Sequence, residues 1–219
     1  MSIADNLSAL KLELPPDVEL VAVSKFKPVQ MIMEAYNAGQ RSFGENRPQE
    51  LREKIDQLPG DVKWHFIGHL QTNKIKYIIE KVHLIQSVDS LRLLEAIDKE
   101  SAKYSKVTDC LLEMFVASEE TKQGMSREEI FEAVKIRENY KNVRICGLMA
   151  MATFTDDDEQ IAGEFASVKS FYDELKGTCF KGDPAFSMLS MGMSGDYRIA
   201  LHNGSNVIRI GTAIFGGRS

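Results

Sequence analysis

Apolar positions along this chain follow two alternating rhythms. VELVAVSK (residues 18–25), VHLIQSV (82–88) and TDCLLEMFV (108–116) are short apolar runs of strand type. DSLRLLEAIDKESAKY (89–104) and SREEIFEAVKIREN (126–139) instead repeat their apolar residues every three to four positions, as one face of a helix does. The two kinds take turns. The strand at 18–25 precedes a helix at 29–39 that stops at Gly39. RSFGEN (41–46) precedes a charged helix at 48–57, and KWHFIG (63–68) precedes a helix in NKIKYIIEKV (73–82). The run at 82–88 precedes the helix at 89–104, where Asp89 or Ser90 is the N-cap. The run at 108–116 precedes the helix at 126–139, and VRICGLMAM (143–151) leads to a helix near 159–175. AFSMLSM (185–191) leads to a helix near 195–203 closed by Gly204, and NVIRIG (206–211) is the last strand before a short tail.

Eight strand–helix pairs imply a parallel sheet, and eight repeats suggest closure into a single (β/α)8 TIM barrel over residues 1–219. No Pro/Gly/Ser-rich linker divides the chain, and no GxGxxG follows a strand, which argues against a dinucleotide-binding sheet. A net charge of −5 argues against a general nucleic-acid binder. The N-terminus lacks a basic segment followed by an apolar one, and no apolar run approaches a membrane span, so a cytoplasmic location is expected. Cys110, Cys146 and Cys179 form no metal-ligand spacing and read as reduced thiols.

In such a barrel the chemistry sits at the C-terminal ends of the strands. Lys25 ends the first strand, sharing a face with Val21 and Val23, so it can point inward as a partly desolvated amine. A desolvated lysine is a nucleophile suited to a Schiff base, although a lysine snorkelling at a strand end is the commoner case. Lys27 falls past the strand, where it is expected to be solvated. SMGMSGDYRIA (190–200) is a small-residue loop opening a helix, which reads either as an anion site or as an ordinary capped turn with Ser194 as its N-cap. A second such element, RIGTAIFGG (209–217), follows the next strand. Loops after strands seven and eight often bind phosphate in these barrels. Arg209, enclosed by isoleucines, reads either as a buried ion pair with Glu45 or Glu113 or as a donor to a ring nitrogen. Lysine, anion cradle and arginine together match the needs of pyridoxal phosphate (PLP). His65 and His69 share a strand face without a nearby carboxylate in sequence and are read as structural. No metal site is expected.

The stretches VAVSKFKP, FGENRPQE, WHFIGHLQTNK, GLMAMAT, SMGMSGDY and GSNVIRIGTAIFG, in this order, resemble the pyridoxal phosphate homeostasis proteins (the YggS/PROSC-type PLP-binding family). The resemblance implies a fold type III barrel like the N-terminal domain of alanine racemases, with PLP held as a Schiff base on Lys25. It also implies that Ser194, Gly211 and Thr212 hold the phosphate, with Ser190 and Gly192 shaping the loop. Arg209 would face the pyridine nitrogen, Asn46 would line the ring, and Ile67 and Met191 would form walls. Two departures stand out. The lead before VAVSK is short, so the family's long first helix is expected to be trimmed. Asn206 stands where threonine is frequent, with little effect expected.

A guanidinium stays protonated, so it cannot take the ring proton as a carboxylate would. The ring is then a weak electron sink. With no second racemase domain expected after Ser219, the family likeness implies a non-catalytic, monomeric carrier. Such a carrier would buffer PLP or pass it to PLP-dependent apo-enzymes, with Lys122 as a candidate helper. The alternatives are a weak amino-acid racemase on the same scaffold and a Schiff-base aldolase, for which Glu45 would supply the acid/base.

Overall fold

A computed structural model describes residues 2–116 and 124–217. Its strands are β1 (Glu19–Val23), β2 (Ser42–Glu45), β3 (Lys63–Phe66), β4 (Leu84–Val88), β5 (Thr108–Met114), β6 (Val143–Ala150), β7 (Met188–Ser190) and β8 (Val207–Ile210). All pair in parallel with their sequence neighbours, and β1 pairs with β8 over Glu19↔Val207 to Ala22↔Ile210, so the barrel closes. The helices are α1 (Ile3–Glu13), α2 (Val29–Asn37), α3 (Pro48–Ile55), α4 (Leu91–Ala102), α5 (Arg127–Lys135), α6 (Asp158–Gly177), α7 (Tyr197–His202) and α8 (Thr212–Phe215).

Strand alternation divides the side chains between two compartments. Leu20, Ala22, Phe43, Phe66 and Ile208 join the large apolar layer between barrel and helices. The second buried apolar cluster is small, made of Leu84, Leu111, Cys146 and Met149. Barrel interiors are usually packed with branched apolar residues. Here His65, Gln86, Glu113, Ser190 and Arg209 are buried polar groups on the strands, and their hydrogen bonds organise the site described below.

Several local expectations are corrected. The first and seventh strands are shorter than 18–25 and 185–191. The segment at 73–82 forms a 3₁₀ helix over Thr72–Tyr77 rather than an α-helix. Its continuation mixes bonds from the Ile78 and Ile79 N–H groups to the Ile75 carbonyl, so Ile75, Ile78, Ile79 and Val82 are all buried without a regular helix. The helix expected over 126–139 ends at Lys135 and passes into a 3₁₀ turn at Arg137–Asn139. The lead contains α1, started by a reciprocal capping box between Ser2 and Asp5. The tail contains α8. Lys27 is not free in solvent: its Nζ donates to the Phe215, Gly216 and Gly217 carbonyls at 3.4, 3.1 and 2.9 Å, capping α8. Asn206 has a structural part, since its side chain accepts from Leu189 N–H at 2.8 Å and donates to the Ser187 carbonyl at 2.7 Å, fastening β7 to the start of β8. No helix among the described residues is long and apolar enough to cross a membrane.

Candidate functional site

Lys25 lies two residues beyond β1, half-buried, in a turn built from charged groups. Lys54 of α3 is almost wholly buried. Its Nζ donates to the Ser24 carbonyl at 2.9 Å, to Glu45 Oε1 at 2.8 Å and to Glu50 Oε1 at 2.7 Å. Ser24 Oγ donates to Glu45 Oε1 at 2.5 Å, and the Phe26 N–H donates to Glu50 Oε1 at 2.6 Å. Phe26 adopts φ +62°, a left-handed conformation that a large side chain takes only when its surroundings impose it. The residues on either side of Lys25 are therefore clamped. Burial pushes the Glu45 carboxyl up, against the pull of Lys54 and the Ser24 bond. With one oxygen spent on Lys54 and Ser24 and the other without a partner, Glu45 is a structural acid. Sequence reasoning missed Lys54 and Glu50. The only trace was their i,i+4 spacing on a charged helix, which ordinarily marks a solvated face.

Arg209 is 4 % exposed, and neither Glu45 nor Glu113 hydrogen-bonds it, so the ion-pair expectation is corrected. Its Nη1 donates to Ser190 Oγ at 2.5 Å and its Nη2 to the Ala150 carbonyl at 3.0 Å. Burial lowers its pKa to about 10, with Glu113 and Asp196 pulling upward, and it remains a cation at neutral pH.

Glu113 is 5 % exposed. Burial raises its carboxyl to about 7 and Asp89 adds to the rise, while Arg209 and His69 oppose it. Because the folded value lies above that of an unfolded glutamate, the folded protein binds this proton more tightly. Its stabilising contribution is full below about pH 4.5 and is lost as pH rises through 7. Glu113→Gln is therefore expected to gain stability over the parent as pH climbs from 4 to 8. The gain should be on the order of 3 kcal/mol, from about 1.36 kcal/mol per pKa unit. Urea denaturation at both pH values would show it, and a difference that stays flat with pH would contradict the assignment.

The loop after β7 depends on Gly192, with φ +92°. A Cβ there would lie 2.7 Å from the Ala200 Cβ and 2.9 Å from the Tyr197 Cα, so only glycine lets the loop lie against α7. Gly192→Ala should cost about 1–3 kcal/mol, visible as a lowered unfolding midpoint. A midpoint equal to the parent's would argue against that packing. Ser194 is half-buried and is not the N-cap. Asp196 holds that position, and its carboxylate accepts the Met193 N–H at 2.6 Å. The N–H groups of Ser194, Gly195, Thr212 and Ala213 meet no acceptor among the described residues. Gly211 precedes α8, where an added Cβ would stand 3.3 Å from the Val23 carbonyl oxygen, and Thr212 is exposed. Two loops thus offer unspent donors.

Ser190 is fully buried; its Oγ accepts from Arg209 and donates to Gln86 Oε1 at 2.6 Å, so it holds the arginine rather than lining an opening. Asn46 follows β2, and its Oδ1 is buried without a partner. Gly68 abuts Asn46, since a Cβ there would fall 2.4 Å from the Asn46 carbonyl oxygen. Ile67 is half-buried; its Cδ1 would lie 3.1 Å from a Cβ on Gly44. Met191 is corrected as a wall residue: it is fully buried in the apolar layer between barrel and helices, because it alternates outward from inward-facing Ser190. The histidines do have carboxylate neighbours that sequence spacing hid. His65 Nε2 lies 3.4 Å from Glu19, and His69 Nδ1 lies 2.9 Å from Asp89. Lys122 falls outside the described residues. Among those described, no group of three or more potential ligands could hold a metal ion.

The alanine racemase N-terminal domain family matches residues 1–219. The pyridoxal phosphate homeostasis protein of Aquifex aeolicus is 39% identical over 201 residues, covering 91% of this chain and 87% of that protein. PipY of Synechococcus elongatus, solved with PLP bound, is 35% identical with a TM-score of 0.88, covering 98% of this chain and 100% of that one. Alanine racemase from Bartonella henselae is 17% identical with a TM-score of 0.72, covering 98% of this chain and 58% of that one, a likeness of fold.

Proposed function

The chain belongs to the pyridoxal phosphate homeostasis proteins and carries their alanine racemase N-terminal domain, and from that premise we propose that it binds PLP as a Schiff base on Lys25 and buffers or delivers it without catalysing a reaction of its own. The observation that carries this reading is the setting of Arg209, a buried cation held by a hydroxyl and a carbonyl, with guanidinium N–H groups left over. Such a group donates to an unprotonated ring nitrogen and supplies it no proton.

When bound, PLP supplies an aldehyde that condenses with amines and a ring that withdraws electrons. Lys25 provides the amine, held at a turn that the Lys54, Glu45 and Glu50 clamp fixes on both sides. Ser194, Gly211 and Thr212, with the unspent N–H groups of their loops, suit a phosphate, and Gly192 shapes the loop, while Ser190 holds Arg209. Asn46 presents an amide oxygen that nothing inside the protein satisfies, and Ile67 would add an apolar wall. These features fit the cofactor. Arg209, a donor that holds its own protons, would leave the ring nitrogen unprotonated and so weaken the electron sink that racemisation requires. Recipients would be PLP-dependent apo-enzymes, with the protein acting as a monomer in the cytoplasm.

The test is the visible spectrum of purified protein mixed with PLP, before and after borohydride, followed by peptide mapping. We expect a reducible band and a label on Lys25, with no turnover of alanine enantiomers. A protein that stays colourless would overturn the cofactor reading. Steady racemisation that depends on Lys25 would replace the carrier with an enzyme.

A further inference from the structure

Behind Arg209 the barrel interior holds a line of polar side chains that the proposed cofactor contacts do not use. Ser190 Oγ lies 2.5 Å from Arg209 Nη1 and 2.6 Å from Gln86 Oε1. Gln86 Nε2 lies 2.9 Å from His65 Nδ1, and His65 Nε2 faces Glu19 Oε1 at 3.4 Å. Glu19 in turn accepts from Ser42 Oγ at 2.7 Å. Ser190, Gln86 and His65 are fully buried, so each bond has no competing water.

We propose that Gln86 and His65 are positioning residues for Arg209, members of a one-directional hydrogen-bond chain that runs from the guanidinium through Ser190 and Gln86 to His65, whose far nitrogen faces Glu19. The proposal rests on the reading of Arg209 as the group facing the cofactor ring. Direction follows from which groups can only donate. Arginine has no acceptor, so Ser190 Oγ accepts from it and turns its own proton toward Gln86. That makes the near atom of the Gln86 amide the carbonyl oxygen and the far atom the nitrogen. The nitrogen donates, so His65 Nδ1 must be bare, and the ring proton sits on Nε2, aimed at Glu19. Ser42 Oγ donates to Glu19 and the protonated His65 Nε2 faces it, contacts that favour the carboxylate against the cost of burial, so the end of the chain carries a negative charge. The contact at 3.4 Å is electrostatic rather than a well-aligned hydrogen bond, since His65 Nε2 has no partner in good geometry. Aligned dipoles between a buried cation and a distant carboxylate orient Arg209 without an adjacent ion pair, leaving its other N–H groups free to face a ligand.

Two measurements test this. In protein without PLP, the ¹⁵N spectrum of His65 at neutral pH should show a bare Nδ1 and a protonated Nε2. A proton on Nδ1 would overturn the chain's direction. In PLP-loaded protein, His65→Leu and Gln86→Met should each release PLP about tenfold faster, the effect of losing one buried hydrogen bond. His65→Asn, which keeps an acceptor near the Nδ1 position, should stay within about threefold of the parent. Equal release from His65→Asn and His65→Leu would show that ring volume alone matters, and parental rates in all three variants would show no positioning role. Should His65→Leu fail to fold, Gln86→Met, close in shape and without polar atoms, decides. If the parent itself takes up no PLP, the function proposed above fails, while the histidine spectrum still decides the chain.

Discussion

Lys25→Ala is expected to give a folded protein that retains no PLP through gel filtration and shows no band that borohydride can trap. The lysine side chain makes none of the hydrogen bonds that hold its turn. Those run through the Ser24 carbonyl and hydroxyl, the Phe26 N–H, Lys54, Glu45 and Glu50. Removing a half-buried side chain outside that clamp should change stability by no more than about 0.5 kcal/mol. The control is Lys27→Ala. It removes three contacts to the end of α8, and so should lower the unfolding midpoint while the chromophore still forms. A trapped chromophore on Lys25→Ala would move the covalent site elsewhere. A midpoint well below the parent's would assign Lys25 a structural part that its contacts do not show.

Lys54→Met is expected to be the most destabilising single change near the site. Breaking a buried pair leaves one charge uncompensated, at a cost of about 3–5 kcal/mol. Here two carboxylates lose the same partner, at 2.8 Å for Glu45 and 2.7 Å for Glu50. Glu50 is partly exposed and can turn to water. Glu45 has no exposed surface and already carries a raised carboxyl, so without Lys54 it must take up a proton in the folded state. The penalty should therefore grow as pH rises above the range of an ordinary carboxylate and shrink in acid. Adding Glu45→Gln should recover part of the loss at pH 8. Urea midpoints of the two variants at pH 5 and pH 8 check both statements. Equal midpoints for Lys54→Met and the parent would mean that the buried pair contributes nothing net. The clamp also fixes the Phe26 turn, so Lys54→Met should weaken PLP retention beyond its effect on folding.

The barrel could be read from the sequence because its signals are local and repeated. Apolar runs of strand length alternate with three-to-four periodicity eight times, and each pair is legible without the others. Lys25, Gly192, Gly211 and Thr212 stood out as candidates because they lie where such a barrel places chemistry, at strand ends and in the last two loops. Met191 was misplaced by one step of strand alternation, since β7 is only three residues long and a neighbour of inward-facing Ser190 must point out. Ser194 offered a helix cap as its alternative role, because serine before a helix commonly is one. Asp196, two residues on, took the position instead.

What the sequence by itself determined is the order of elements, the closed parallel barrel they imply, and the residue types gathered at its C-terminal rim. Only the tertiary structure decided which charges meet. Lys54 carried no signal within its charged helix and is the buried centre of the Lys25 turn. Glu45 looked like a candidate acid and is its counter-charge. Arg209 allowed either a carboxylate pair or a donor's role, and it rests on Ser190 and the Ala150 carbonyl. The physical reason is range. Periodicity is a property of neighbouring residues, whereas an ion pair joins residues that closure brings together from different strands, and burial, set by every element at once, determines what that pair is worth.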